Sequence, residues 1–349
     1  MMLPPLAVTP DEGGSRPLDI LGALCSMQLS HFKLRLGPDA EAVLDEARIR
    51  FIAWWEGYDL DAFRRWMNAR KGADLDEVEI DYAAFANKGL DRHGKPLWTA
   101  TRIEVAEKIW GEGFVSPGGQ DYISEMVRPL GLNPAMSVLD LHAGLGGAAR
   151  IMVDAFGTWI TGLEPNPLLA VEGMERSKKL GMSKQAPIVP YDPESFKYNK
   201  RVDCVFAREL FFAVKEKDRL FDGIERALKP RGQILYTDYV FVDEPPDVPA
   251  IANWRAIEPL VPSPWTLAQH EGNLKRRNLD VRIAEDVTDA HRAQVVSAIQ
   301  KLSGFLGEHT VMGDTKQAVL AEVNLWAARI AAFEAGLRCY RFYALKPSS

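Results

Sequence analysis

Cysteine is scarce and never paired along this chain. Its three residues, Cys25, Cys204 and Cys339, lie far apart, and no Cys-x-x-Cys occurs. That excludes a disulfide framework and a thiolate metal cluster, and it fits a reducing cytoplasm. His31, His93, His270, His291 and His309 show no metal-ligand spacing with one another or with cysteine, so no metal is expected. Excess positive charge is missing too. The 42 basic and 48 acidic residues are interspersed and sum to a net charge of −6, which lacks the basic footprint of nucleic-acid binding. No uninterrupted apolar run approaches the length of a membrane span, and "MMLPPLAVTPDEGGSRP" has no basic segment leading into an apolar core. The expectation is a soluble, cytoplasmic chain with a flexible start over residues 1–17.

Hydrophobic residues make up 47% of the 349, ample for a packed core. Residues 18–95 read as a helical N-terminal domain, because "AEAVLDEARIRFIAWWEGY" and "DLDAFRRWMNARK" space apolar residues by three and four. Its aromatic run, Phe51, Trp54, Trp55, Tyr58, Phe63 and Trp66, reads as packing between helices, with a partner or oligomer surface as the alternative. From about residue 131 the rhythm changes. "SVLDL", "WITGLE", "APIVPY", "DCVFA" and "QILYTDY" are strand-like, and "GAARIMVDAFG", "LLAVEGMERSKKLG" and "KEKDRLFDGIERALKPRG" are helix-like. This alternation predicts an α/β fold with a parallel sheet covered on both faces and a ligand at the strands' carboxyl ends. Residues 241–275 are proline-rich and read as irregular. "LDVRIAEDV" and "LRCYRFYALKP" read as late strands separated by long helices.

The chemistry concentrates in "VLDLHAGLGGAARIM", Val138 to Met152. Gly144, Gly146 and Ala149 satisfy G-x-G-x-x-G/A, and Glu164 ends the next strand, which taken alone suggests a dinucleotide site. The spacing argues against it. Such turns place the first glycine directly off the strand, whereas here Asp140 caps the strand and three residues intervene. An acid ending the first strand, small residues in the turn, an acid ending the second strand and an acid after the third (Asp140, Gly144 to Gly147, Glu164, Asp192) resemble the class I S-adenosylmethionine-dependent methyltransferases. The resemblance implies their Rossmann-like sheet: seven strands, mostly parallel, the last antiparallel. A cofactor without a pyrophosphate needs glycines for close backbone approach to its amino-acid tail. Glu164 can accept from both ribose hydroxyls, Asp192 from the adenine amino group, and Asp140 lies near the cofactor's cationic end. Pro165 and Pro193, following two of these acids, belong to the same implied cofactor wall.

Upstream "WGEGFVSPGG" (Trp110 to Gly119), with "FAREL" (Phe206 to Leu210) and "LYTDY" (Leu235 to Tyr239), narrows the likeness to the phosphoethanolamine N-methyltransferases, from about residue 96 onward. That resemblance implies that residues 96–130 cover the cofactor, with Val115 and Ser116 folding over it, and that 131–349 form the methyltransferase domain, with 241–275 and 288–335 as substrate-side insertions. It also implies that Arg208 lines the cofactor pocket and that Tyr239 faces the acceptor. The departures are specific. The family's tyrosine and histidine latch falls on Trp98 and Ala213, and its basic, tyrosine-rich phosphate stretch falls on "IEPLVPSPWTL". In "AVLAEVNLWAARIAAFEAGL" the only positive charge is Arg329. A phosphate buried without cations is costly, so phosphoethanolamine is not the expected acceptor. His142 occupies the first glycine position of the family's turn, as a packed turn residue or as a cofactor contact and proton acceptor.

The expected function is methyl transfer from S-adenosylmethionine to a small-molecule acceptor, with nitrogen favoured by the resemblance and oxygen or carbon open. Positioning next to the methyl suffices, and no covalent residue is needed. Glu209 and Tyr239 are the favoured proton acceptors, with Asp238 and His142 behind them. Trp98, Phe212 and Tyr239, with Phe114, Phe211, Trp254 or Trp265, would give an aromatic acceptor lining suited to a methylammonium cation or a planar apolar group. The competing readings are a cofactor-binding scaffold or regulatory subunit that lost the chemistry, and a dinucleotide-dependent oxidoreductase.

Overall fold

A computed structural model describes residues 89–308 and 313–348. The flexible start, nearly all of the N-terminal helical domain with its aromatic run and oligomer surface, Cys25, His31 and His309 lie outside the described residues. The chain order within them is α1 (Ala100–Trp110), α2 (Gln120–Met126), β1 (Ser137–Asp140), α3 (Gly147–Phe156), β2 (Trp159–Glu164), α4 (Pro167–Lys179), β3 (Ile188–Pro190) and β4 (Val202–Arg208). Then come α5 (Lys217–Ala227), β5 (Leu228–Phe241), α6 (Pro249–Ile257), α7 (Leu267–Arg276), β6 (Asp280–Asp286), α8 (Thr288–Glu308), α9 (Gly313–Glu334) and β7 (Leu337–Leu345). The seven strands form one sheet in the order β3-β2-β1-β4-β5-β7-β6. β1 to β5 pair in parallel, and β7 lies antiparallel between β5 and β6. The strand rhythm predicts the parallel part of this sheet, and the resemblance implies its seven strands with the last one antiparallel.

Strand alternation divides the core into two layers. Val138, Ile160, Cys204, Phe206 and Leu235 pack with residues of α1, α2, α3, α8 and α9, while Leu139, Leu163, Val205, Ile234 and Tyr236 pack with residues of α5 and α7. Strand order reverses between β1 and β4. That topological switch opens a crevice at the carboxyl ends of the strands, where open α/β sheets bind their ligands.

The stretch 241–275 is more regular than its prolines suggest, and the irregular reading is corrected by α6 and α7. Pro249 sits at the start of α6, where its missing N–H has no partner to lose. Thr266 caps α7 through a reciprocal box with Gln269, whose side chain accepts from the Thr266 N–H at 2.7 Å. β5 runs from Leu228, so Pro230 and Gly232 lie inside a long strand. They follow the end of α5 and do not terminate it. Among the described residues no helix is long and apolar enough to cross a membrane.

Candidate active site

The turn after β1 is built by backbone geometry. Gly144 and Gly146 both adopt left-handed φ, 56° and 80°, which side-chain-bearing residues rarely occupy. A Cβ on Gly146 would stand 2.9 Å from Ile188 Cδ1, and one on Gly144 would press on Val115 at 3.3 Å. The turn is closed against its neighbour strand by Glu164. Its Oε2 accepts the Gly144 N–H at 2.7 Å and its Oε1 accepts the Asn166 N–H at 2.7 Å. Burial raises the Glu164 pKa, while His142 and those two N–H groups act to lower it. Each oxygen keeps a lone pair for a further donor.

A strap over residues 111–119 covers this turn. The Gly113 carbonyl accepts the Gly147 N–H at 3.0 Å, and Glu107 Oε1 accepts the Gly113 N–H at 2.7 Å. Arg176 on α4 holds Glu107 in turn, Nη2 to Oε2 at 2.7 Å. From the other side Arg208, at the end of β4, donates to the Pro117 carbonyl and reaches Ser116 Oγ at 3.5 Å. Val115 and Ser116 thereby form the roof of a cavity of about 340 Å³. That volume lies within the range of pockets that bury a small ligand.

Of the residues expected to hold the cofactor, Val115, Ser116, His142, Gly144, Glu164, Pro165, Asp192, Pro193 and Arg208 line this one cavity. Asp140 and Gly146 do not. Asp140 is turned into the β1 turn, where Oδ1 accepts the His142 N–H at 3.1 Å. Burial pushes its pKa up to about 6, against the lowering effects of that bond, Arg208 and His142. Gly146 is covered by Ile188 and Arg150, so its contribution is the bend itself. Asp192 lines the cavity while its Oδ1 accepts the Glu194 N–H at 2.9 Å, capping a short 3-10 turn over Pro193–Ser195. His142 is hydrogen-bonded within the turn and also lines the cavity. Nδ1 lies 2.6 Å from the Arg208 carbonyl, which only accepts, so Nδ1 carries the proton. That leaves Nε2 as the acceptor of a ring that lines the cavity.

The side of the cavity expected to face the acceptor combines expected and unexpected groups. Trp98, Glu209, Phe212 and Ala213 line the cavity. Glu209 adopts φ 44°, a strained geometry for a non-glycine residue that places it at the tip of β4. Its Oε1 accepts from Thr237 Oγ1 at 2.8 Å. Phe212 is fixed by its N–H, which donates to buried Asp238 Oδ1 at 3.0 Å. Tyr239 is a correction. It is fully buried, lies behind Phe212 at 4.9 Å between ring centroids, and its hydroxyl is 3.1 Å from His291 Nε2, so it does not reach the cavity wall. Phe211, Trp254 and Trp265 also remain in the packing behind the wall, whereas Phe114 reaches it.

Two ion pairs that the sequence reading missed complete this lobe. Arg329 is held by Glu258, Nε to Oε1 at 2.7 Å and Nη2 to Oε2 at 2.9 Å, and Arg102 is held by Glu322 at 2.6 Å. Burial works to lower the Arg329 pKa, but the Glu258 charge and hydrogen bonds, Tyr239 and Glu322 together push it up. Arg102 also lies 4.3 Å from the Trp98 ring centroid and Arg329 4.5 Å from that of Trp326. A signal existed: Glu322, Trp326 and Arg329 recur at i, i+4 and i+7, one face of α9. Away from the turn, folding also gathers Glu209, His291 and Cys339, whose ligand atoms lie within 4.8 Å of one another.

Residues 139–236 match the family described as "Methyltransferase domain". Phosphoethanolamine N-methyltransferase 1 of Zea mays is 31% identical over 143 residues, covering 41% of this chain and 28% of that protein. Glycine/sarcosine/dimethylglycine N-methyltransferase of Actinopolyspora halophila is 22% identical over 219 residues, 61% of this chain and 39% of that protein. The chain therefore spans less than two fifths of the length of either relative. The solved structure of Haemonchus contortus phosphoethanolamine N-methyltransferase 2, with phosphomonomethylethanolamine and S-adenosylhomocysteine, superposes with a TM-score of 0.63 at 24% identity. It covers 72% of this chain and 58% of that one. At that identity the likeness shows the fold.

Proposed function

We propose that this chain, carrying a methyltransferase domain over residues 139–236 and resembling the class I S-adenosylmethionine-dependent methyltransferases, transfers a methyl group to a small-molecule amine other than phosphoethanolamine. One observation carries the cofactor part. Glu164, buried at the β2 tip, closes the glycine turn with both oxygens and still faces the cavity. The chain's residues fit S-adenosylmethionine: a bent turn with no side chain at Gly144, a carboxylate for ribose hydroxyls, and a strap to cover it. Glu164 would take the ribose, Asp192 the adenine side, and the Gly144 turn with His142 the amino-acid tail. When bound, the cofactor supplies an electrophilic methyl carbon on a cationic sulfur.

The remaining work falls to the acceptor lobe. Trp98, Phe212 and Trp326 give the lobe an aromatic, water-excluding lining, which suits a methylated amine. Glu209, fixed at Oε1 by Thr237, aligns the amine and accepts the proton that nitrogen gives up as its bond to carbon forms. The lobe's two arginines are each paired to a buried glutamate, so a phosphate dianion would meet little uncompensated positive charge. Support for nitrogen comes from the relatives, both N-methyltransferases by name. The Actinopolyspora relative acts, by its name, on acceptors without phosphate.

The test is a methyl-label transfer assay with glycine, sarcosine, ethanolamine and phosphoethanolamine. Label is expected in an unphosphorylated amine and absent from phosphoethanolamine. Preferential labelling of phosphoethanolamine would overturn the acceptor assignment. Binding of S-adenosylmethionine with no transfer to any amine would support the scaffold reading, which no feature of the cavity favours at present.

A further inference from the structure

We propose that Glu209, His291 and Cys339 form a divalent-metal site of the zinc class beneath the acceptor lobe, with its open coordination position toward the cavity that Glu209 lines. The three come from separate elements: the tip of β4, the first turn of α8 and the start of β7. Each offers a ligand atom within 4.8 Å of the others, and each is buried, with exposures of 8%, 1% and 0%. Carboxylate, imidazole and thiolate are the zinc-type donors. A metal bound at about 2.0–2.3 Å would hold its ligand atoms about 3.5 Å apart, so the widest pair closes by about 1 Å. Rotation about the Glu209 and His291 side-chain bonds covers that distance.

A second observation points the same way. His291 Nε2 is engaged by the Tyr239 hydroxyl at 3.1 Å, while Nδ1 is buried with no hydrogen-bond partner. A buried polar nitrogen left bare is rare and costly. One ring nitrogen fixed by a hydrogen bond and the other vacant is the arrangement of a metal-ligating imidazole. Glu209 is oriented in the same way, its Oε1 accepting from Thr237 Oγ1 at 2.8 Å and its backbone held in the left-handed region. Charge also balances: a dication with one carboxylate and one thiolate leaves no net charge in a buried site.

The inference goes beyond the proposed methyl transfer and does not depend on it. With a metal bound, Glu209 becomes a ligand. The fourth position then takes water or a lone-pair donor of the acceptor, and the metal lowers the pKa of what it holds. Without one, Glu209 remains the proton acceptor described above.

The experiment is cobalt titration of the chelator-treated full chain. The expected result is one equivalent of Co²⁺ with tetrahedral visible bands and a thiolate-to-cobalt band in the near ultraviolet. Cys339→Ser should abolish that band, His291→Ala should weaken binding at least tenfold, and Cys204→Ser should leave both unchanged. Circular dichroism reports whether each variant is folded. A folded wild-type chain that binds no cobalt, or that keeps the thiolate band in Cys339→Ser, overturns the site; a water bridging His291 and Glu209 would give the first of these. Titration of the chelated chain with S-adenosylmethionine separates the two proposals, because loss of the metal should leave cofactor affinity within threefold.

Discussion

Replacing Glu164 by glutamine isolates the carboxylate's contribution while preserving its shape. Both Glu164 oxygens already accept a backbone N–H at 2.7 Å, from Gly144 and from Asn166. An amide keeps one acceptor oxygen and turns its NH₂ toward the other N–H, so one hydrogen bond is lost and two donors face each other. Hydrogen bonds to a charged group contribute about 1.5–3 kcal/mol each. Losing one such bond to a ribose hydroxyl alone weakens binding by about 10- to 150-fold. Opening of the turn at Gly144 acts in the same direction. Stability should change less, because removing a buried charge offsets part of the lost backbone bond. Isothermal titration with S-adenosylhomocysteine, alongside thermal unfolding, reads both effects. A folded Glu164→Gln chain whose Kd stays within threefold of wild type would refute the assignment of this carboxylate to the ribose.

Three further outcomes follow from the same geometry. Asp140 should impose a stability slope opposite to that of most carboxylates. Its folded pKa is raised from 3.8 to about 6, so the folded chain holds the proton longer. Stability therefore falls by about 3 kcal/mol as pH rises through roughly 4 to 6, and Asp140→Asn should remove that decline in denaturant titrations across this window. Glu258→Gln leaves the largely buried Arg329, 13% exposed, without its counter-ion. It should cost about 3–5 kcal/mol in unfolding free energy, and calorimetry should show stronger binding of phosphoethanolamine than in wild type. Asp238→Asn, which keeps an oxygen to hold the Phe212 N–H, should preserve S-adenosylmethionine affinity, whereas Asp238→Ala should raise the acceptor KM by freeing the Phe211–Ala213 turn.

The half of the cavity built around the glycine turn was legible because its determinants are local. Asp140 and Glu164 end strands, the Gly144 turn and Asp192 follow them, and an α/β sheet brings consecutive strand ends to one edge. What spacing could not say is which way each side chain points: Asp140 was assigned to the cofactor but is folded into its own turn. The acceptor half is assembled from distant segments. Glu258 lies in a proline-rich stretch and Glu322 and Arg329 on a mostly apolar helix; Glu258 meets Arg329 only once α6 packs on α9, and Glu322 meets Arg102 only once α1 does. Tyr239 was expected at the wall by resemblance, but Phe212 occupies the space in front of it and His291 engages its hydroxyl. Histidine and cysteine spacing along the chain shows no metal-ligand pattern, whereas folding brings His291 and Cys339, far apart in sequence, beside Glu209.

Titration of the intact chain with S-adenosylmethionine in a calorimeter tests the central claim most directly. The account predicts saturable binding of one equivalent, with a negative heat-capacity change from burial of apolar surface beneath the strap. A chain that is folded by circular dichroism and gives no binding heat at millimolar ligand, at two temperatures, would contradict it.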